Sequence, residues 1–221
     1  MRSPPPTVST GVAESDGSPV EEGVHRADAA LHTARKVIVV WSALVLCGFA
    51  YLVRYTATAG TGDQGNSTWP RDSRIVRMVD RPTLLVFLHP ACPCSRATFE
   101  ELSRLLTHVG TAVDTTTVFI RPGEFQTGWE QSDIWKNAES LPGVRVVVDP
   151  GGEEARRFGA ATSGYTLLYE PGGRLVFRGG ITATRGHEGD NAGKTAILSW
   201  FENGRAEPSE TPVFGCPLFD K

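Results

Sequence analysis

The chain has 221 residues and a formal net charge of −3, with 22 Lys and Arg against 25 Asp and Glu. The basic residues are scattered and form no stripe, which argues against nucleic acid as a partner. Its 4 cysteines are too few for a disulfide-scaffold protein, and its length suits one domain of ordinary size with a real core.

Residues 1–36 open with "MRSPPPTVSTGVAESDGSPVEEG", which is rich in Pro, Ser, Gly and acid. Such a segment buries too little apolar surface to offset ordering entropy, so it is expected to be a disordered tail. "RKVIVVWSALVLCGFAYLVRY" follows, with an uncharged apolar run from Val37 to Val53. As helix this run measures about 25 Å, the short end of a membrane span. Trp41, Tyr51 and Tyr55 lie toward its ends, where amphipathic rings prefer the interface. Residues 37–54 therefore read as a single transmembrane anchor; a cleaved signal peptide and a buried soluble helix are the alternatives. Cys47 is a small apolar residue of that span.

Arg35 and Lys36 before the run, against Arg54 after it, bias the N-terminus toward the cytoplasm. The rest of the chain is then outside, where thiol pairs tend to be disulfides or redox-active. Residues 55–70 form a polar, Gly-rich tether, and 71–221 the folded domain.

"TLLVFLH", Thr83 to His89, is a continuous apolar run between prolines and predicts a strand buried on both faces. After it, Phe99, Leu102, Leu105, Leu106 and Val109 share one helical face, ended by Gly110. Thr98 and Glu101 have capping-box spacing, an alternative start one turn later. Val113 to Ile120 predicts a second strand, "GWEQSDIWKNAESL" a helix, Pro142 to Pro150 a third strand and "EEARRFG" a short helix. "YTLLYEPGGRLVFRGG", Tyr165 to Gly180, reads as an antiparallel hairpin around Pro171-Gly172-Gly173. "DNAGKTAILSWFENG" closes the order as a helix capped by Asp190 or Asn191 and ended by Gly204. The expected class is α/β, a mixed sheet with helices on both faces. Phosphate-cradle, Ser/His/Asp and paired-carboxylate chemistries find no support in the motifs.

This order, with "CPCS" between the first strand and its helix, resembles the thioredoxin-like superfamily over about Arg74 to Gly204. Membrane-anchored periplasmic relatives of that kind are commonly thiol-disulfide proteins. "HPACPCSRA", the "SG" before the hairpin and the late "FGC" also resemble a less-described bacterial group, RedB. The resemblance implies a thioredoxin-like domain behind one N-terminal transmembrane helix, acting on protein thiols or disulfides. It also implies that Gly164 and Tyr165 line the site, at the position of the family's cis-proline. The departures are plain. One residue, Pro93, separates the cysteines instead of two, the tryptophan before the motif is missing, and the first strand carries no acid.

Cys92 and Cys94 are the candidate catalytic residues. A thiol at a helix N-terminus meets unpaired N–H groups and the positive end of the dipole, and both favour the reactive thiolate. The pair is expected to be presented together and reachable from solvent, with Cys92 attacking and Cys94 resolving. A Cys92–Cys94 bridge is geometrically poor, because side chains two apart on a helix diverge. One thiol could instead pair with Cys216, if "TPVFGCPLFD" packs back on the domain. Such a bridge could also be a static staple in a noncatalytic domain. The same sulfurs, with His187 or Cys216, would make a soft donor set for Cu(I) or Zn(II); copper-delivery proteins of the superfamily use two cysteines and a distant histidine. In "GGITATRGHEGDN", His187 is a ligand or proton carrier and Arg185 an anion contact, or the segment is a solvated loop before a helix cap. His89, alone at a strand end, reads as a structural group.

Overall fold

The computed structural model describes residues 19–62 and 66–219, with side-chain environments from residue 30 onward. The chain divides into two units, 1–52 and 53–221.

The first unit is helical. Helix α1 (Pro19–Ala57) contains a stretch, Ala30–Ala57, long and apolar enough to cross a membrane, within which an 18-residue window has a mean hydropathy of 2.1. Its large side chains, among them Trp41, Leu44 and Phe49, are exposed. The disordered tail expected for 1–36 is corrected from Pro19 onward, where the backbone is helical. "EEGVHRADAALHTARK" lacks the apolar surface for a core but is rich in Ala, Glu, Leu and Arg, which extend a helix already nucleated by the apolar run. Residues 1–18 lie outside the described residues.

The second unit is a five-stranded sheet in the order β3-β2-β1-β4-β5. In chain order its elements are β1 (Thr83–Leu88), α2 (Pro93–Val109), β2 (Asp114–Arg121), α3 (Asp133–Ser140), β3 (Val144–Pro150), α4 (Glu153–Arg157), β4 (Tyr165–Tyr169), β5 (Leu175–Gly179) and α5 (Ala192–Asn203). The strands β1, β2 and β3 run parallel, while β4 is antiparallel to both β1 and β5. Every residue of β1 is buried, as its unbroken apolar run requires at the centre of a two-sided sheet. Alternation divides the strand between two cores. Leu84, Val86 and Leu88 join Phe99 and Leu102 of α2 and Ile197 of α5. Leu85 and Phe87 join Ala155 of α4, Phe158 and Tyr169 on the other face. At about 25 cal/mol per Å² of apolar surface removed from water, these two layers are the main favourable term in the fold.

Two expectations change in this unit. Helix α2 begins at Pro93 with Cys92 as its N-cap, so Thr98 and Glu101 lie inside the helix and form no capping box. Glu101 instead accepts from Lys194 Nζ at 2.6 Å and from Gly189 N–H at 2.6 Å, clipping α2 to the start of α5. The tether expected over 55–70 is in part bound to the domain. Gly60 N–H donates to Val213 O at 2.8 Å and Trp69 N–H to Gly173 O at 2.8 Å. The Trp69 ring meets Phe158 and Tyr169 edge-on at 5.0 and 5.1 Å, so its aromatic burial overrides the flexible composition around it.

Candidate functional site: three sulfurs at the mouth of a helix

The site begins where β1 stops. Pro93 suits the first helical position because its fixed φ is helical and its missing N–H would be unpaired there anyway. A residue before proline is driven to extended backbone, and Cys92 has φ −100° and ψ 123°. Helix and loop therefore meet at Cys92, with Cys94 in the first turn. Ser95 stitches the corner: its N–H donates to Cys92 O at 3.0 Å, and its Oγ accepts from His89 N–H at 3.0 Å.

The last segment of the chain closes over this corner. Ser163 N–H donates to Cys216 O at 2.8 Å, Leu218 N–H to Ala161 O at 2.9 Å, and Cys216 N–H to Ser163 Oγ at 3.2 Å. Val213 and Leu218 are buried in the core shared with Phe158. Gly215 is needed for so close an approach, since a Cβ there would stand 1.9 Å from Ser163 O. Arg185 pins the same segment by donating to Gly215 O.

As a result Cys216 Sγ stands 2.7 Å from Cys92 Sγ, and the sulfurs of Cys92, Cys94 and Cys216 all lie within 4.8 Å of one another. All three are free thiols. Cys92 is 3 % and Cys94 7 % exposed, while Cys216 is half-buried. The expectation of a pair open to solvent is thus corrected: the C-terminal segment covers it, and the outermost sulfur is Cys216. Further along the same C-terminal segment, Pro217 and Phe219 join His89, Pro122 and Arg156 in lining a cavity of about 230 Å³.

Crowding three sulfurs together separates their acidities. The Cys92 thiol is lowered to about 4, first by the hydrogen bond from Cys94; Cys216, Ser163 Oγ and Ser95 N–H add to this, against the cost of burial. The hydrogen bond to Cys92 pushes Cys94 up, helped by burial and by the neighbouring negative charge. Cys216 is raised to about 11, chiefly by burial and then by its contact with Cys92, while the positive charge of Arg185 works the other way. One thiolate and two thiol donors is the arrangement that follows.

The other expected residues take lesser places. His187 is exposed, with Nδ1 2.9 Å from Arg185 O, and is not part of the donor cluster. Arg185 supports the C-terminal segment rather than an anion contact. Gly164 hydrogen-bonds Phe87 O at 2.7 Å, and its φ of +88° and a Cβ position 2.6 Å from Thr98 Oγ1 demand glycine. The Gly164–Tyr165 bond is trans, and the buried Tyr165 packs with the core around Phe87. His89 is structural, with its ring edge-on to Trp129 at 5.4 Å and Nδ1 accepting from Ala91 N–H at 3.2 Å. Ser163 is the residue the motifs missed. Its Oγ lies 3.4 Å from Cys92 Sγ, and its position in the "SG" before the hairpin was the available signal.

No protein-family model matches the chain, and no curated protein does. Solved structures match it in fold. An uncharacterized conserved protein from Geobacillus kaustophilus is 20% identical over 75% of this chain and 93% of its own, with a TM-score of 0.53. A hypothetical protein from Sinorhizobium meliloti is 16% identical over 73% of this chain and 93% of its own, with a TM-score of 0.52. A putative thiol:disulfide interchange protein DsbE from Chlorobium tepidum is 18% identical over 66% of this chain and 97% of its own, with a TM-score of 0.40. The parallel β3-β2-β1 half, the antiparallel β4-β5 hairpin and the helix opening at the cysteines make the fold thioredoxin-like.

Proposed function

We propose that this thioredoxin-like chain is a membrane-anchored, extracytoplasmic thiol-disulfide redox protein whose reactive sulfur is Cys92. The observation that carries the reading is the place of Cys92: a sulfur at the mouth of α2 with a second thiol sulfur 2.7 Å and the Ser163 hydroxyl 3.4 Å away, surroundings that favour its thiolate. The thiolate is the form that exchanges with disulfides, and a neighbouring thiol resolves the mixed disulfide that results. Within the Cys-Pro-Cys motif, Cys94 serves as the donor that holds Cys92 ionised. The partners are protein thiols or disulfides, and the cavity lined by Pro217 and His89 offers them a cleft on the same segment as Cys216. The apolar stretch Ala30–Ala57 would supply the anchor, and the charge bias at its ends supports an extracytoplasmic domain, in the periplasm of a bacterial inner membrane in this reading. Insulin reduction and thiol exchange by the full chain in detergent test this reading. Activity that falls to background in Cys92→Ser is expected; equal activity in that variant contradicts it.

A second reading, soft-metal binding or delivery, is favoured by the three clustered sulfurs. Thiolate sulfur selects Cu(I) and Zn(II), and Cys92, Cys94 and Cys216 would be the donors once the 2.7 Å contact between Cys92 and Cys216 opens. Tight Cu(I) binding that is lost in Cys94→Ser, without exchange activity, would decide for it. Neither activity, with an inert Cys92–Cys216 bridge, would leave a structural staple.

A further inference from the structure

We propose that the redox couple is Cys92 with Cys216, not the Cys-Pro-Cys pair, and that it works as an oxidant of protein dithiols, with Cys216 as the sulfur a partner attacks. The inference rests on the redox reading above and adds to it the partner sulfur, the point of entry and the direction of electron flow.

Three observations carry it. Cys216 Sγ is 2.7 Å from Cys92 Sγ, across a contact fixed by backbone hydrogen bonds to Ser163 and Ala161 on one side and by Arg185 on the other. Cys94, whose sulfur also lies within 4.8 Å, stands to Cys92 as a hydrogen-bond donor, whereas the direct 2.7 Å sulfur contact is with Cys216. Of the three cysteines, Cys216 is the least buried, and the residue after it, Pro217, lines a cavity, whereas Cys92 is 3 % and Cys94 7 % exposed. In a Cys92–Cys216 disulfide, then, an incoming thiolate meets Cys216 first.

The step balances as follows. A partner thiolate attacks Cys216 Sγ, a new sulfur–sulfur bond forms, and the Cys92–Cys216 bond breaks. Its electron pair leaves on Cys92, where the Cys94 thiol, the Ser163 hydroxyl and Ser95 N–H receive it. The partner's second thiol loses its proton and attacks its own sulfur in the mixed disulfide, and Cys216 departs and takes up a proton. Two electrons have passed from the partner dithiol to the chain, which ends with a Cys92 thiolate and a Cys216 thiol; the other proton goes to solvent. A sulfur of low pKa is the better leaving group, and a stabilised reduced form makes a couple oxidising. Reoxidation falls to a disulfide of higher potential.

The test uses the full chain in detergent carrying Cys47→Ser, oxidised with glutathione disulfide and mapped by peptide mass spectrometry. A bridge between the Cys92 and Cys216 peptides is expected. A brief exposure to reduced glutathione, quenched in acid, should place the adduct on Cys216. At equilibrium in glutathione buffer the chain should be reduced at least about tenfold more readily than glutathione disulfide. A Cys92–Cys94 bridge, an adduct on Cys92, or a couple more reducing than glutathione overturns the inference and leaves the redox reading standing. No exchange with glutathione at all overturns both. The mapping leaves all three site sulfurs in place, so a misfolded variant cannot imitate either answer.

Discussion

Cys92 depends on neighbours that a motif does not name. Ser163 Oγ lies 3.4 Å from its sulfur and accepts from Cys216 N–H at 3.2 Å, so one hydroxyl serves both the thiolate and the segment that covers it. Ser163→Ala should raise the Cys92 pKa and cost about 1–2 kcal/mol of stability, since it leaves a backbone N–H short of its partner. Thiol alkylation against pH and denaturant melts of the reduced chain check the two effects separately. A linkage follows from the same acidity. Because folding lowers the Cys92 pKa, its thiolate stabilises the reduced chain fully above the unfolded thiol value of about 8.5. That stabilisation is lost as pH falls through about 4. The thiol pair at the head of α2 was legible in the sequence because an unbroken apolar run before it gives way to a helical period after it. Cys216 was legible as one possible partner among alternatives; Ser163 was not, because its contacts with Cys92 and Cys216 span dozens of residues and only the folded chain brings them together.

Among the elements, α2 carries the site and α5 holds α2 in place. The clip is Glu101, whose side chain has no exposed surface and which is met by Lys194 Nζ at 2.6 Å, Gly189 N–H at 2.6 Å and Arg104. Removing one partner of a buried ion pair leaves an uncompensated charge, the costly way to break such a pair. Lys194→Met should therefore destabilise the domain by about 1–3 kcal/mol, tempered by the remaining donors to Glu101. Urea unfolding of the full chain in detergent checks it, and an unchanged midpoint would mean the clip carries no weight. The strands were readable from their unbroken apolar runs, and α5 from its Asn191 cap, which accepts from Lys194 N–H at 2.7 Å, and its Gly204 stop at φ +78°. The capping-box spacing of Thr98 and Glu101 misled because the same spacing also places a residue on a helix face, and here Glu101 faces α5.

For the whole molecule, the sequence order already implied a mixed α/β sheet behind an apolar helix, and the structure has both. The return of the C-terminal segment was less legible. "TPVFGCPLFD" has apolar residues that could pack anywhere, and only the pairing of Leu218 with Ala161 and of Cys216 with Ser163 fixes where. That return turns a two-cysteine motif into a three-sulfur centre and buries the sulfur that ionises. The account stands on Cys92 being a thiolate at neutral pH, and ultraviolet titration of thiolate absorbance in the reduced full chain, with Cys92→Ser as the reference, tests it most directly. One thiolate titrating with a midpoint near 4, absent from the reference, is the result expected. No thiolate below the ordinary thiol range of about 8–9 would contradict it.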